Sequence, residues 1–343
     1  MKNGRTAPCR QCACKTCAQV PSLRELYQPI EPGLKRVEAI LREISRGSSP
    51  VIREMAVHLI RKPGKRVRAA LVLFSARSGH SDPVRAAQLA AVVEMLHMAS
   101  LVHDDILDGS KKRRSQPALH SVWGTHLSVL MGDYLFTRLA GMLTSSFHRE
   151  VLKVVIRSAE DMVRGEIEEE AAAYRNSLPV AGYLGIIRLK TAELMAASCE
   201  AGATLAGASP AVRRSLRKYG LEFGMGFQLT DDALDFSANE REIGKPVGSD
   251  LREGRFTYPL LSLLKKLRGG DRRRLVSMLN KSALSNGGAG KVVEMVRKSG
   301  CVPGTLQLAE RRFIAANYAL RGVPATAARS LSKLADYASR RDS

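Results

Sequence analysis

The chain has 343 residues, 45% of them hydrophobic and 25% charged, with a formal net charge of +21. That balance belongs to a soluble globular protein of one large or two ordinary domains. No run reaches the roughly 20 uninterrupted apolar residues of a membrane span, and the N-terminus lacks the apolar core of a secretory signal, so a cytoplasmic protein is expected. The positive charge suits an anionic partner: nucleic acid, a membrane surface or a phosphate-bearing substrate. A basic proteome would give the same number. The basic residues are spread out and aromatics are only 5%, which leaves little to stack bases on. No nucleic-acid partner is expected.

The first twenty residues are read as a flexible tail, and 21–343 as one domain. The tail carries Cys9, Cys12, Cys14 and Cys17. Thiolates at such spacing can wrap zinc or an iron–sulfur centre. The spacing lacks the gap between two knuckles, so reduced thiols in a loose tail are the plainer reading. Beyond the tail, Gly/Pro punctuation separates helical patterns, and no segment sustains strand alternation. There is no solenoid period. The expected architecture is all-α, with ten or more helices. Cys199 and Cys301 sit in apolar helical patterns and are expected to be buried.

Short basic clusters punctuate the chain. Pro63-Gly64-Lys65-Arg66-Val67-Arg68 opens one helix. The next helix is unusually legible. Ser81 or Asp82 can cap it, Pro83 suits its first turn, and an apolar run carries it to Asp104. About 25 residues make a rod of roughly 37 Å, apolar on more than one face and so expected inside the domain. His97 lies on it, two turns before Asp104. A lone His on an apolar helix is ordinarily a satisfied core residue, and His103 is read that way. The helix ends in Asp104, Asp105 and Asp108. Carboxylates there oppose the macrodipole at about 0.3–1 kcal/mol each and repel one another. A bound cation would relieve both penalties.

Lys111-Lys112-Arg113-Arg114 follows this motif, and Lys190-Thr191 begins a later helix. A second acidic motif, Asp231, Asp232 and Asp235, follows the apolar stretch Phe223 to Leu229, with Lys245 ten residues beyond it. Residues four apart share a helix face, so Asp104 pairs with Asp108 and Asp231 with Asp235. One DDxxD is a weak signal, more often a solvated helix end. Two copies at the ends of buried helices should converge on a polar site. Carboxylates suit magnesium, which binds through one or two of them plus water and substrate phosphates. Adjacent cations suit the other side of a diphosphate. Gly224 and Gly226 each cost roughly 1 kcal/mol in a helix interior. Either a substrate chain or a close-packed helix would explain them.

These blocks, taken in order, resemble the trans-isoprenyl diphosphate synthases, or polyprenyl synthetases, from about Leu23 onward. The resemblance rests on GKRVRAALVL, EMLHMASLVHDDILD with Arg113-Arg114, MGDYLF, GEIEEE, KTAELMAASCEAGA, FGMGFQLTDDALDF and IGKPVGSDLREGRFTYPLL. It implies an isoprenoid synthase fold: one helical bundle around a deep central cavity. It also implies condensation of isopentenyl diphosphate with an allylic diphosphate, using two to three Mg2+ ions. Carried over by position, Asp104, Asp108 and Asp231 hold magnesium, with Asp105, Asp232 and Asp235 supporting. Lys65, Arg68, His97 and Arg114 hold isopentenyl diphosphate. Arg113, Lys190, Thr191, Gln228 and Lys245 hold the allylic diphosphate. The chain departs from the family pattern at Pro63, at Ser115 where a glycine is usual, at Ala118 in place of threonine, and at Arg255 in place of lysine. Arg keeps the charge as a planar fork.

Ala99 and Ser100, about one turn before Asp104, stand where short-chain relatives often place an aromatic floor. Small side chains there predict a product longer than twenty carbons, with Met95, Met98 or a partner helix left to set the floor. HMASLVHDD resembles the catalytic component of heptaprenyl synthases that serve menaquinone. The resemblance implies a homodimer, and for the heptaprenyl type leaves open a heterodimer with a small subunit. The basic surface also suits membrane-surface contact. Competing readings are a farnesyl or geranylgeranyl diphosphate synthase, a class I terpene cyclase, which would not need Lys65, Arg68 and His97, and a non-catalytic subunit, against which both intact aspartate motifs argue.

Overall fold

A computed structural model describes residues 21–174, 178–237, 248–252, 254–279 and 288–340. Lys245 and the four tail cysteines lie outside the described residues. In chain order the main helices are α1 (Leu23–Tyr27), α2 (Glu31–Arg42), α3 (Pro50–Ile60), α4 (Val67–Ser75), α5 (Pro83–Leu107), α6 (Leu119–Ser146), α7 (Arg149–Tyr174) and α8 (Val180–Ile187). A π-helical turn, Arg188–Ala192, leads into α9 (Glu193–Leu205) and then α10 (Pro210–Ser237). Next come α11 (Ser249–Arg252), α12 (Tyr258–Lys266), α13 (Gly269–Met278), α14 (Ala289–Lys298), α15 (Cys301–Ala319) and α16 (Ala325–Ser339). The expected all-α bundle is present. The strand structure among the described residues is a two-residue antiparallel ladder, Lys112–Arg113 against Gln116–Pro117.

The innermost helices are buried on every side. All seven residues from Ala69 to Ser75 of α4 are buried, as is most of α5. Asp82 caps α5, its carboxylate accepting from the Val84 amide at 2.9 Å, one residue before Pro83 fixes the first turn. By length and composition α5 could cross a membrane, but 72% of its most apolar window is buried inside the protein. The α10 helix packs closely on α9. A Cβ on Gly220 would meet the Met195 carbonyl oxygen at 2.5 Å, and one on Gly224 the Ala192 Cα at 2.6 Å. Gly226 instead faces Ala309 and Phe313 of α15 at 3.1 Å. Both glycines singled out in the sequence therefore serve helix–helix contact, not a substrate chain.

Aromatic packing locks the same region. Phe223 meets Phe313 edge-on at 5.7 Å, and the buried Tyr219 hydroxyl donates to the Leu331 carbonyl at 2.7 Å. Truncating Phe223 to Ala would cost about 3–5 kcal/mol. A smaller apolar cluster (Ala233, Phe236, Leu251, Leu260, Leu275 and Val292 among it) sits below the C-terminal end of α10 and carries α11 to α14. Cys199 and Cys301 are free and buried.

Candidate active site

A cavity of about 730 Å³ is lined by the C-terminal part of α5, the C-terminal half of α10, the start of α4 and the π-helical turn. Asp104, Asp108 and Asp231 line it. So do Lys65, Arg68, His97, Arg113, Arg114, Lys190, Thr191 and Gln228. Asp105, Asp232 and Asp235 do not.

Each of those three has another partner. Asp105 is buried and ion-paired with Arg113 at 2.6 Å. Asp232 is fully buried, accepting from the Tyr183 hydroxyl at 2.6 Å and the Gln228 amide at 3.0 Å. Burial outweighs those bonds and pushes its carboxyl up to about 7. Asp235 accepts from the Ser249 amide at 3.1 Å, the Ser249 hydroxyl at 2.8 Å and the Asp250 amide at 3.3 Å, capping α11. All three are thus engaged by protein partners and do not line the cavity.

The basic wall divides in two. At the start of α4, Arg68 Nη1 lies 3.0 Å from His97 Nε2, and the Arg68 Nε is buried without a partner. Burial, then the Arg68 charge, hold His97 well below its ordinary range, so the ring is neutral. Tyr27 donates to the Lys65 carbonyl at 2.9 Å, and Arg114 to the Lys62 carbonyl at 3.2 Å. The Arg114 guanidinium lies where a Cβ on Gly64 would stand, so a side chain at that position would have to displace it. Arg114 and Ser115 themselves have φ of 51° and 59°. They are the two central residues of the hairpin that joins the short ladder, where a primed turn requires positive φ. Ser115 thus takes by strain the conformation that a glycine adopts freely.

On the other wall, the π-helical turn projects Lys190 and Thr191 inward. Such bulges concentrate at functional sites. Lys190 sits between Glu166 and Glu169, 2.6 Å from each. Burial works to lower its pKa, but Glu169, Asp104 and Glu166 outweigh it and raise it. Thr191 donates to the Gln228 side-chain oxygen at 3.0 Å, which orients the amide that binds Asp232.

Several lining residues were given no role from the sequence: Arg66, Glu94, Glu169, Tyr183, Asp250 and Thr257, with Arg255 noted there only as a departure. Arg255 pairs with Asp108 at 2.8 Å and Asp250 at 3.4 Å. Glu166 and Glu169, on one face of α7 three apart, were visible in GEIEEE but carried no spacing signal of their own.

Ser100, Asp104, Met162 and Lys190 also line a second, more apolar cavity of about 450 Å³ between α5, α6 and α7. Ala99, Leu96, Phe136, Ala159, Val163 and Ile167 wall it. Ala99 and Ser100 therefore both wall this second cavity. Met95 and Met98 do not line it; Leu96 and Met162 do.

Among the described residues no cluster of His, Cys, Asp and Glu forms a ready-made metal cage. The donors still fit a hard cation. Burial raises Asp104 to about 7, against the pull of Lys190, and a divalent ion would favour its charged form. Three carboxylates from two helices, facing cations that suit phosphate, match an ion that completes its shell with water and substrate oxygens.

The polyprenyl synthetase family model matches residues 49–296. The chain belongs to the polyprenyl synthetase family. It is 35% identical over 321 residues to heptaprenyl diphosphate synthase component 2 of Geobacillus stearothermophilus, covering 93% of this chain and 99% of that protein. Among solved structures, polyprenyl synthase from Caulobacter crescentus CB15, complexed with calcium and isoprenyl diphosphate, superimposes with a TM-score of 0.88 at 34% identity over 95% of this chain and 99% of that one. Decaprenyl diphosphate synthase from Rhodobacter capsulatus gives 0.86 at 32% identity, over 94% and 99%. This polyprenyl synthetase is a prenyltransferase with the isoprenoid synthase fold.

Proposed function

We propose that this chain is a magnesium-dependent trans-prenyltransferase that condenses isopentenyl diphosphate with an allylic diphosphate, giving a product longer than twenty carbons. The observation that carries the reading is one cavity lined by three carboxylates from α5 and α10 and by basic residues from α4, the hairpin and the π-helical turn, with Ser100, Asp104, Met162 and Lys190 shared with an apolar cavity beside it. Lys65, Arg68, His97 and Arg114 bind the isopentenyl diphosphate head. Arg113, Lys190, Thr191 and Gln228 face the allylic diphosphate, and Arg255 joins them beside Asp108.

Asp104, Asp108 and Asp231 would hold magnesium, which supplies Lewis-acid stabilisation of the departing diphosphate. The allylic C–O bond breaks and the diphosphate keeps the electron pair. The double bond of isopentenyl diphosphate then attacks the allylic carbon to form the new C–C bond. The proton lost from the adduct goes to the released diphosphate. The chain's own residues orient both heads and keep water from the cation. Neutral His97 offers Arg68 a partner without adding charge against the substrate.

The apolar cavity is walled in part by exposed residues: Leu107 is 55%, Val163 60% and Ile167 62% exposed. The reading includes a second copy of this chain covering that face, with a smaller second subunit as the other outcome of a light-scattering measurement. The decisive assay incubates labelled isopentenyl diphosphate with each allylic starter and magnesium, then separates products by chain length. Products beyond twenty carbons are expected. Ser100→Phe, which adds bulk where the two cavities share a wall, should shorten them. Arrest at fifteen or twenty carbons with every starter defeats the long-chain reading, and a cyclic hydrocarbon made without isopentenyl diphosphate defeats the transferase reading.

A further inference from the structure

We propose that Glu94, acting through Arg66, is a positioning residue that sets the geometry of the isopentenyl diphosphate pocket; this rests on the substrate assignment just given. Arg66 has a left-handed backbone, φ 52° and ψ 35°, at the residue that immediately precedes α4. A non-glycine residue holds that conformation only where its surroundings impose it. Here they do. Arg66 Nε donates to Glu38 on α2 at 2.7 Å, Nη2 to the other Glu38 oxygen at 3.3 Å, and Nη1 to Glu94 on α5 at 3.0 Å. Only 10% of the Arg66 side chain and 5% of the Glu94 side chain remain exposed.

The second Glu94 oxygen accepts from the Ala69 amide at 3.0 Å. Arg66 gives α4 no side-chain cap, and Ala69 is the third residue of that helix. Glu94 therefore does from a neighbouring helix what a capping side chain does locally. One turn along α5, His97 holds Arg68. The two side chains of α5 thus grip the start of α4 at two points, and Lys65 and Arg68 flank the residue that Glu94 clamps. With both oxygens engaged by Arg66 and Ala69, Glu94 lines the cavity without being a ligand for an anion, which its charge would repel. Its part is geometric: it fixes the turn that aims Lys65 and Arg68 together.

The test is steady-state kinetics of the full chain carrying Glu94→Gln, which keeps an acceptor for Ala69 and loses the negative charge that pairs with Arg66. The expected result is a rise of about tenfold in KM for isopentenyl diphosphate, with kcat and the KM for the allylic substrate within about twofold. A merely structural pair would lower Tm and leave that split unmoved. An unchanged KM for isopentenyl diphosphate in the folded variant, or an equal rise for both substrates, overturns the proposal. Where Glu94→Gln does not fold, Glu38→Gln decides, because it removes the more exposed anchor: a selective rise of about threefold supports the clamp, and no rise overturns it. Arg68→Gln is run beside them. If it raises KM for isopentenyl diphosphate while Glu94→Gln does not, the positioning role alone fails. If neither does, the substrate assignment fails and takes the proposal with it.

Discussion

The two DDxxD motifs are written in the same letters and folded to different ends. In the first, Asp104 and Asp108 both reach the cavity and Asp105 is held by Arg113 eight residues on. In the second, only Asp231 reaches it. Asp232 is sealed under Tyr183 and Gln228, and Asp235 turns away to cap α11. The difference follows from what each helix packs against. Seven residues before Asp104 stands His97, which binds Arg68; seven before Asp231 stands Gly224, pressed against Ala192. The second helix is wedged against α9 and rolls two of its three acids into protein. A motif specifies which residues are acidic; the packing of its helix decides which of them meet substrate.

The largest expected effect separates the cavity acids from the others. Asp104→Ala or Asp231→Ala should lower kcat by about 10³-fold, the scale of losing a group that stabilises developing charge, with little change in Tm. Asp232→Ala should reverse that pattern. It strands the buried Tyr183 hydroxyl and the Gln228 amide, at about 1–3 kcal/mol for each unsatisfied group. Thermal unfolding should therefore show a drop of several degrees, while kcat falls much less than in Asp104→Ala. Equal catalytic losses at all three positions would break the comparison.

A smaller effect tests the buried ring on α5 that the second helix lacks. Burial, then Arg68, hold the His97 pKa below its ordinary value. The unfolded chain takes a proton on this ring near pH 6.5 that the folded protein does not. The stability gained by keeping it neutral is complete above about pH 6.5 and is lost as pH falls toward the folded value. Melting temperature measured from pH 8 down to 5 should decline below that point, and His97→Gln should flatten the decline.

Much of this site was legible in the sequence because its signals are local. Asp82-Pro83 and a long apolar run define α5, and the spacing of Asp104 and Asp108 places both on one face. The partners that sort the remaining acids are distant in the chain. Tyr183 lies 49 residues before Asp232, and Arg255 lies 147 residues after Asp108. Glu38 and Glu94 each lie 28 residues from Arg66, on separate helices, and no periodicity relates them. Met95 and Met98 were plausible floors by depth along α5, but rotation about the helix turns Leu96 and Ala99 to the second cavity instead. Gly224 and Gly226 had two readings in one dimension, and only the positions of Ala192 and Phe313 choose between them.

The smallest effect concerns Asp235, and it joins the two motifs. Its carboxylate accepts from the amides of Ser249 and Asp250, and its carbonyl from the Gly248 amide at 2.9 Å. Asp250 in turn lies 3.4 Å from Arg255, which binds Asp108. The last acid of the second motif is thus linked through α11 to the last acid of the first. Asp235→Ala removes a cap worth about 1 kcal/mol, so a fall of about 2–4 °C in Tm is expected. Because α11 also carries Asp250, kcat should drop several-fold as Arg255 loosens. Asp235→Asn keeps one acceptor for Ser249 and should recover most of both losses. If Asp235→Ala instead matches the catalytic collapse of Asp231→Ala, the second helix presents two acids to substrate, and the two motifs are alike after all.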